Sequence, residues 1–585
     1  MNRQIVSQAR ALAMSFAACA MIMFALQSSV VAQPSANKAA KIDEVMTAAS
    51  KNRLFNGTVL VAENGKVIYK KGFGKANMEW NIPNTPDTRF RLGSITKQFT
   101  ATLILQLVEQ GKIKLDGKIT DYLPDYRIDT GGKVTIHQLL NHTSGIPSYT
   151  SMPNFENDVS RNPYRVADFV KKYASGDLEF EPGSKYSYNN SGYFLLGAII
   201  EKVTGQTYEQ ILKEKILDPL GMKNTGYDHH GTIIEKRASG YEKTADGYRN
   251  ASYLDMSLPY AAGSLYSTVE DLYLWDQALY TDRVLSVQSK DLMHKPNLDD
   301  YAYGWQIAKV KLGTGTETVA AIKHGGGING FNTMIVRYPA QKNLIVLLDN
   351  TSQGRSLAQI ERELTNILYN QPHNLLKMPL ADVLLTTIQE KGLDAALVQY
   401  RELKSRQGNA YDFSEPELNR VGYQLLALKK FKEAVEIFKL NVEAYPQGFN
   451  TYDSLGEAYM ESGNTDLAIQ NYKKSLELNP QNTGATAMLK RLENKTASVD
   501  TKTYDAYAGE YELNPRFKVL VFRDGDKLMT QATNQPAFEL YPEGTDKFFL
   551  KVVDAKVTFT RDDAGVVTGL IIHQNGRDGA AKKIK

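Results

Sequence analysis

Short apolar runs and long apolar runs alternate along the 585-residue chain, and they predict elements of two kinds. Thr58-Val59-Leu60-Val61 and Val67-Ile68-Tyr69 flank Asn64-Gly65, which predicts a β-hairpin over Gly57–Gly74. Thr333–Tyr338 and Leu344–Leu348, separated by a turn at Pro339, predict a second hairpin-like pair far downstream. Between them lie helix signals. One long apolar segment runs from about Ser94 to Gln110 and stops at Gly111, and another runs from Tyr193 to Val203 and stops at Gly205. Strands at both ends with helices between predict an α+β domain over residues 38–372, with a sheet closed by the N- and C-terminal segments.

The pattern changes after residue 373. Residues 417–450 and 451–484 repeat at a period of 34, pairing Gly422 with Gly456, Ala434 with Ala468, Phe438 with Tyr472 and Pro446 with Pro480. That period and those positions are the tetratricopeptide pattern, whose helix pairs bury their faces by stacking. Three helix pairs are expected over residues 376–495, the first a degenerate copy that includes Leu393–Tyr400. From residue 502 to 585 the reading is a small all-β domain. Runs at Lys518–Phe522, Phe548–Val553, Val557–Thr560 and Val566–Ile572 are split by turns at Asp524-Gly525 and Ala564-Gly565.

The first 32 residues have a different layout. Arg3 and Arg10 precede an apolar run from Ala11 to Leu26, and Val30-Val31-Ala32 offers small or short residues for cleavage. This is the form of a secretory signal, and the run is short for a bilayer span of about 20 residues. An uncleaved anchor is the competing reading. Export to the periplasm or medium is the expectation, with no membrane span once the signal is removed. Cys19, the single cysteine, lies inside that run, which continues past it and so argues against lipid attachment. A chain processed after Ala32 would carry no disulfide and no thiol nucleophile.

Composition adds little. The hydrophobic fraction of 42% and the charged fraction of 23% are those of a globular protein, and a net charge of +4 gives no reason to expect nucleic acid as a partner. His229-His230 has no partnering cluster at ligand spacing, and no phosphate loop of P-loop type is present, so neither metal nor cofactor is expected.

The chemistry is carried by three short motifs. Ser94-Ile95-Thr96-Lys97 places a serine and a lysine one helical turn apart on one face. A serine hydroxyl needs a neighbour to take its proton, and a lysine can do so only when burial or nearby positive charge lowers its pKa. The same spacing at Ser35–Lys38 lies beside the cleavage site with no core around it. The second motif is Tyr188-Asn189-Asn190. A tyrosine beside a lysine can pass a proton to a leaving group, and an asparagine amide can bond both the lysine and a substrate carbonyl. Tyr248–Asn250 repeats that spacing without company. The third is His324-Gly325-Gly326-Gly327, where glycines let a substrate lie close and expose N–H groups.

In this order the motifs resemble those of the penicillin-recognising serine hydrolases, a group that includes class C β-lactamases, DD-peptidases, D-aminopeptidases and related esterases. Phe90-Arg91-Leu92-Gly93 before the serine, Leu139-Leu140-Asn141-His142-Thr143-Ser144-Gly145, Pro182-Gly183, Gly192–Gly197, Ala262–Thr268 and Gly330-Phe331 agree, and the resemblance covers about residues 40–370. It implies an antiparallel sheet beside an all-helical half with the site between them. Ser94 would form an acyl-enzyme, with Lys97 and Tyr188 carrying protons. Asn190, His324 and Gly326 would bind substrate, and the N–H groups of Ser94 and Gly327 would hold the oxyanion. The tail ending in His573-Gln574-Asn575-Gly576 resembles a β domain appended to members of that group.

One departure shapes the functional expectation. Many β-lactamases and DD-peptidases have Lys-Thr-Gly as the third motif, and here His324-Gly325 replaces the first two positions. Histidine holds only a partial charge near neutral pH, so a substrate carboxylate loses its fixed partner. The reading is therefore an exported serine hydrolase cleaving an amide, peptide or ester bond in a small-molecule or peptide substrate. A β-lactamase or DD-carboxypeptidase is the alternative, and a non-hydrolytic binding or sensor protein is the alternative from another class. The repeats offer a surface for a protein partner.

Overall fold

The computed structural model describes residues 33–585 except 154, 245–246, 407–409, 497–502, 516, 534, 551–554 and 575–576. The signal-like segment and Cys19 lie outside the described residues. Contacts divide the chain into two units: Met1–Met378 with Asn409–Tyr411, and Pro379–Gly408 with Asp412–Lys585.

The first unit is built on α1 (Gln33–Lys51), β1 (Gly57–Glu63), β2 (Lys66–Phe73), α2 (Thr96–Glu109), α3 (Asn190–Thr204), α4 (Val269–Ala278), β3 (Gln306–Lys311), β4 (Thr318–Ile328), β5 (Phe331–Tyr338), β6 (Asn343–Asp349) and α5 (Gly354–Leu368). The six strands form one antiparallel sheet in the order β3-β4-β5-β6-β1-β2. Asn64 and Gly65 both have positive φ, which the tight β1–β2 turn requires.

The central strands are apolar on both faces because both faces are covered. Val59 and Val61 of β1, with Ile345 and Leu347 of β6, pack under α1 and α5 against Ile42, Met46, Leu357 and Ile360. Leu60 and Ala62, with Val346 and Leu348, face a larger core shared with α2, α3 and α4. In α2 burial reaches nearly every position, Thr96 to Leu105 and Leu107, so this helix is enclosed on all sides and takes Lys97 in with it.

In the second unit, helices α6 (Leu380–Lys391), α7 (Leu393–Ser405), α8 (Glu415–Ala427), α9 (Phe431–Ala444), α10 (Phe449–Glu461), α11 (Thr465–Leu478) and α12 (Thr483–Thr496) follow one another in sequence. The repeated glycines mark the tightest crossings: a Cβ on Gly422 would overlap the ring of Phe438, and one on Gly456 would lie 3.1 Å from the ring of Tyr472. A seventh helix continues the run beyond the three expected pairs. The tail is a closed barrel of eight strands, β7 (Gly509–Asn514), β8 (Phe517–Asp524), β9 (Lys527–Ala532), β10 (Phe538–Gly544), β11 (Lys547–Leu550), β12 (Ala555–Arg561), β13 (Val567–Gln574) and β14 (Arg577–Lys583). Among the described residues no helix is long and apolar enough to cross a membrane.

Candidate active site

Ser94 lies in a single 3-10 turn, Gly93–Ile95, that leads directly into α2. Gly93 has a φ of +56°, which turns the chain out of the short strand Phe90–Arg91 and leaves the Ser94 side chain at a half-buried surface. One turn on, Lys97 is fully buried. Its Nζ makes three contacts, at 2.9 Å to Ser94 Oγ, 2.8 Å to Asn190 Oδ1 and 2.9 Å to the carbonyl oxygen of Ala262. Burial holds its pKa well below that of a free lysine.

The identities of those partners assign the amine's lone pair. The Ala262 carbonyl can only accept. Asn190 Oδ1, the amide oxygen, accepts as well, and the other end of that amide donates to Thr150 Oγ1 at 3.1 Å. A neutral amine has two N–H bonds and one lone pair. With both N–H bonds directed at obligatory acceptors, the lone pair is left for Ser94, the one partner with a proton to give. No carboxylate pairs with Lys97 among the described residues, so nothing offsets the desolvation that keeps it neutral.

Asn189 caps α3, its side-chain oxygen accepting from the Gly192 amide at 2.8 Å, and this starts the helix at Asn190, earlier than Tyr193. Tyr188 therefore stands just ahead of the helix, with Ser94 among the groups acting on its hydroxyl. Desolvation of its hydroxyl raises the Tyr188 pKa, although the residue as a whole is exposed, and Ser94 partly offsets this, so it stays a phenol at neutral pH. Its ring also covers Lys97, whose Nζ lies 4.9 Å from the ring centroid.

Ser94, Asn190 and Gly327 line one cleft of about 170 Å³, with Tyr149, Thr150, Phe155, Leu258 and Gly263 among its other walls. β4 reaches the serine turn at the glycines. Gly326 is buried, and a Cβ there would overlap the Leu92 carbonyl oxygen and Thr333 Oγ1, which itself donates to that carbonyl at 2.7 Å. Gly325 and Gly327 alternate to the exposed side. Gly326 is thus a packing glycine rather than the substrate-binding residue expected from the motif, and Gly327 is the one that meets the cleft.

His324 also differs from expectation. It is 7% exposed, and it does not line the cleft. Its Nδ1–H donates to the Gly325 carbonyl at 2.6 Å, which leaves Nε2 to accept from the Tyr301 hydroxyl at 2.9 Å. Burial and the nearby Lys97 push its pKa down to about 4. The residue that replaces a family lysine is therefore neutral and sits behind Tyr188, with ring centroids 6.3 Å apart.

His142 is a site residue whose role the motif reading did not resolve. Its Nδ1 accepts from the Asn189 amide at 3.1 Å, its carbonyl accepts from the Ser187 amide at 2.9 Å, and its ring lies 4.3 Å from that of Tyr188. It is buried with φ +60°, and its Nε2 has no partner. His229 and His230 bond separately, to Glu209 and to the Leu254 carbonyl. Among the described residues no group of three or more His, Cys, Asp or Glu side chains is placed to hold a metal.

Residues 39–368 match the family described as Beta-lactamase. The chain belongs to that family. Residues 449–482 match the tetratricopeptide repeat, and residues 493–582 match a domain of unknown function. Penicillin-binding protein 4* of Bacillus subtilis is 30% identical over 382 residues, 62% of this chain and 81% of that protein. Teichoic acid D-alanine hydrolase of Staphylococcus aureus is 29% identical over 342 residues, 57% of this chain and 79% of the other. The octameric penicillin-binding protein homologue from Pyrococcus abyssi shares the fold at 20% identity, with a TM-score of 0.50 over 93% of this chain and 99% of that one. This member of the Beta-lactamase family is a serine hydrolase acting on amide or ester bonds.

Proposed function

We propose that the protein is an exported serine hydrolase in which Ser94 is the nucleophile and forms an acyl-enzyme. The observation that carries this is the Lys97 amine, buried without a counter-ion and satisfied so that its lone pair meets the serine hydroxyl. Ser94 Oγ bonds to the substrate carbonyl carbon as its proton passes to Lys97 Nζ. The negative charge on the carbonyl oxygen is held by the N–H groups of Ser94 and Gly327, both on the cleft wall. When the tetrahedral species collapses, the scissile bond breaks and the departing nitrogen or oxygen takes a proton through the Tyr188 phenol. Water then attacks the ester, its proton leaving by the same Lys97–Tyr188 pair, and Ser94 is regenerated. Asn190 holds Lys97 and faces the cleft, where it can bond the substrate.

The neutral, buried His324 supports an ester, amide or peptide substrate over a β-lactam, because no fixed cation stands at that position for the β-lactam carboxylate. The relative named teichoic acid D-alanine hydrolase supports the hydrolase reading. Export is supported by the Arg3, Arg10 and Ala11–Leu26 pattern. Docking of a protein partner on the helical repeats is supported by the tetratricopeptide match.

The test is to expose the purified protein to a fluorophosphonate and, separately, to a penicillin, and to locate the label by mass spectrometry. A fluorophosphonate adduct on Ser94, absent in Ser94→Ala together with loss of ester hydrolysis by about 10³-fold or more, is expected. Slow or absent penicillin labelling is expected beside it. A folded Ser94→Ala variant that still hydrolyses esters refutes the nucleophile, and a reactive penicillin adduct restores the β-lactamase or carboxypeptidase reading. Failure of both probes to label Ser94 favours a binding protein. The same spectrum reports whether the chain begins after Ala32.

A further inference from the structure

We infer that the serine cleft continues into an anion-binding subsite walled by Arg91 and Arg237, and that the substrate carries a carboxylate or phosphate group seated there. This rests on the Ser94 acyl-enzyme reading and adds to it the charge of the substrate.

A second cavity, of about 340 Å³, adjoins the cleft and shares two lining residues with it, Leu254 and Asn329. Gly327 stands at the serine end and Asn329 at the border. One residue, Ile328, separates them, at the end of β4 where the chain turns towards β5. The border is fixed, since Asn329 Nδ2 donates to the Ser252 carbonyl at 3.0 Å.

The charge in this cavity is unbalanced. Arg91 Nε and Arg237 Nη1 hold opposite oxygens of one carboxylate, Asp228, at 2.9 and 2.7 Å. Asp228 is fully buried, whereas the two guanidinium side chains are 13% and 28% exposed and line the cavity. Two cations share one buried anion on this wall, so positive charge faces the space. Among the described residues Arg237 donates a hydrogen bond through Nη1 alone, so further N–H bonds of its planar group remain for a ligand. The neighbouring acid, Asp255, is not on this wall. Its oxygens take the Ser257 amide and hydroxyl and the Tyr253 hydroxyl, and it lines a neighbouring cavity with His229 and with His230, which borders both spaces. Glu242 is paired with Arg249 and is not on the wall. Ser239, Asn250 and Ser252 add neutral polar groups around the space.

Asp228 pre-orients both guanidinium groups, so a ligand anion meets a fixed fork and little ordering is left to bear on binding. The positive charge that the third motif lacks at His324 is thus supplied on another wall, one subsite further along.

The experiment uses the full chain and two series of p-nitrophenyl esters. In the first, the acyl chain ends either in methyl or in carboxylate and lengthens from succinate to suberate. In the second, the acyl group is constant and the leaving phenol carries either a neutral group or a carboxylate-tipped arm. The expected result is a maximum in the ratio of kcat/KM for charged over neutral partners, about 10- to 100-fold, at a length that reaches the second cavity in one of the series. Arg237→Gln, which leaves Asp228 paired with Arg91, should reduce that ratio about tenfold or more. Asn250→Asp, a change at an exposed residue lining the same cavity, should reduce it as well, and inorganic phosphate should inhibit the charged ester competitively. A ratio flat near one at every length in both series, or unaltered in both variants, overturns the subsite. Neutral esters cleaved with a flat ratio would remove this inference alone, whereas no cleavage of any ester and no label on Ser94 would remove the reading beneath it.

Discussion

Gly93 and Gly327 meet backbone to backbone: a Cβ placed on Gly93 would lie 2.9 Å from the Gly327 amide nitrogen. The turn that carries Ser94 and the strand that carries Gly327 are therefore held at a separation that side chains would not permit. The glycines of the third motif do different work as a result, and they can be told apart. Gly326→Ala would force β4 away from the Leu92 carbonyl and should lower kcat by about 10²- to 10³-fold, the usual loss of an oxyanion donor. Gly325→Ala, whose Cβ would meet its nearest atom at 3.6 Å, should stay within a few-fold of the parent. Ester kinetics on both variants decide it, and equal losses would show that the spacing is not what matters.

The buried amine sets the direction of the pH–rate profile. With Lys97 as base, kcat/KM for a neutral ester rises with pH to a plateau, and the midpoint lies below the 10.5 of an ordinary lysine. Lys97→Arg, which cannot lose its proton, should be inactive by about 10²- to 10⁴-fold. A profile that falls as the amine deprotonates would mean that Lys97 acts as a cation instead.

His324 contributes to stability through its neutral form. Its folded pKa is depressed to about 4, against about 6.5 when unfolded. Between those values the unfolded chain binds the extra proton, so this contribution is complete above pH 6.5 and is lost as pH falls towards 4. The whole difference is about 3 kcal/mol. His324→Gln keeps an acceptor for Tyr301 and does not titrate, so calorimetry from pH 7 to pH 4 should show a smaller fall in the melting temperature for the variant. Asp349, pushed up to about 6, has the opposite sign but is common to both proteins. Parallel pH dependences would place a proton on His324 in the folded state.

His142 is expected to act as a positioning residue. It holds the Asn189 amide and packs against the Tyr188 ring without touching Ser94. His142→Ala should lower kcat about 10- to 100-fold with little change in KM, through a displaced Tyr188. His142→Asn tolerates the positive φ and can offer an acceptor near Nδ1, so it should recover part of the loss. A loss in both variants that tracks thermal stability alone would make the role structural.

Much of the site was legible because its spacing is local. Ser94 and Lys97 lie one helical turn apart, and burial of Lys97 follows from Phe99, Leu103 and Leu107 on the same helix. The directions of His324 and Gly326 were not legible, since they depend on which face of β4 meets the Leu92 turn, a long-range register. Lys97's third partner is a backbone carbonyl, at Ala262, and main-chain atoms leave no trace in composition. In the tail, four of the eight strands were read from apolar runs. Those missed, such as Lys527–Ala532 and Arg577–Lys583, are polar on the outside of a barrel whose closure no local pattern reports. The 34-residue period gave the helix pairs, and α12 lay past the last matched position.

The order of the sheet has a consequence for when the enzyme becomes active. β1 is inserted between β2 and β6, with Gly57 opposite Asp349, so the sheet has no centre until the chain has been made as far as its last strand. Ser94 and Lys97 emerge early, whereas Gly327 and the wall against which their helix is buried arrive much later. Pairings this distant in sequence form slowly and late. Until they form, the Lys97 amine is in water, keeps its proton and cannot take one from Ser94. A growing chain thus carries the proposed nucleophile, Ser94, in an unreactive state, and reactivity is switched on by tertiary closure.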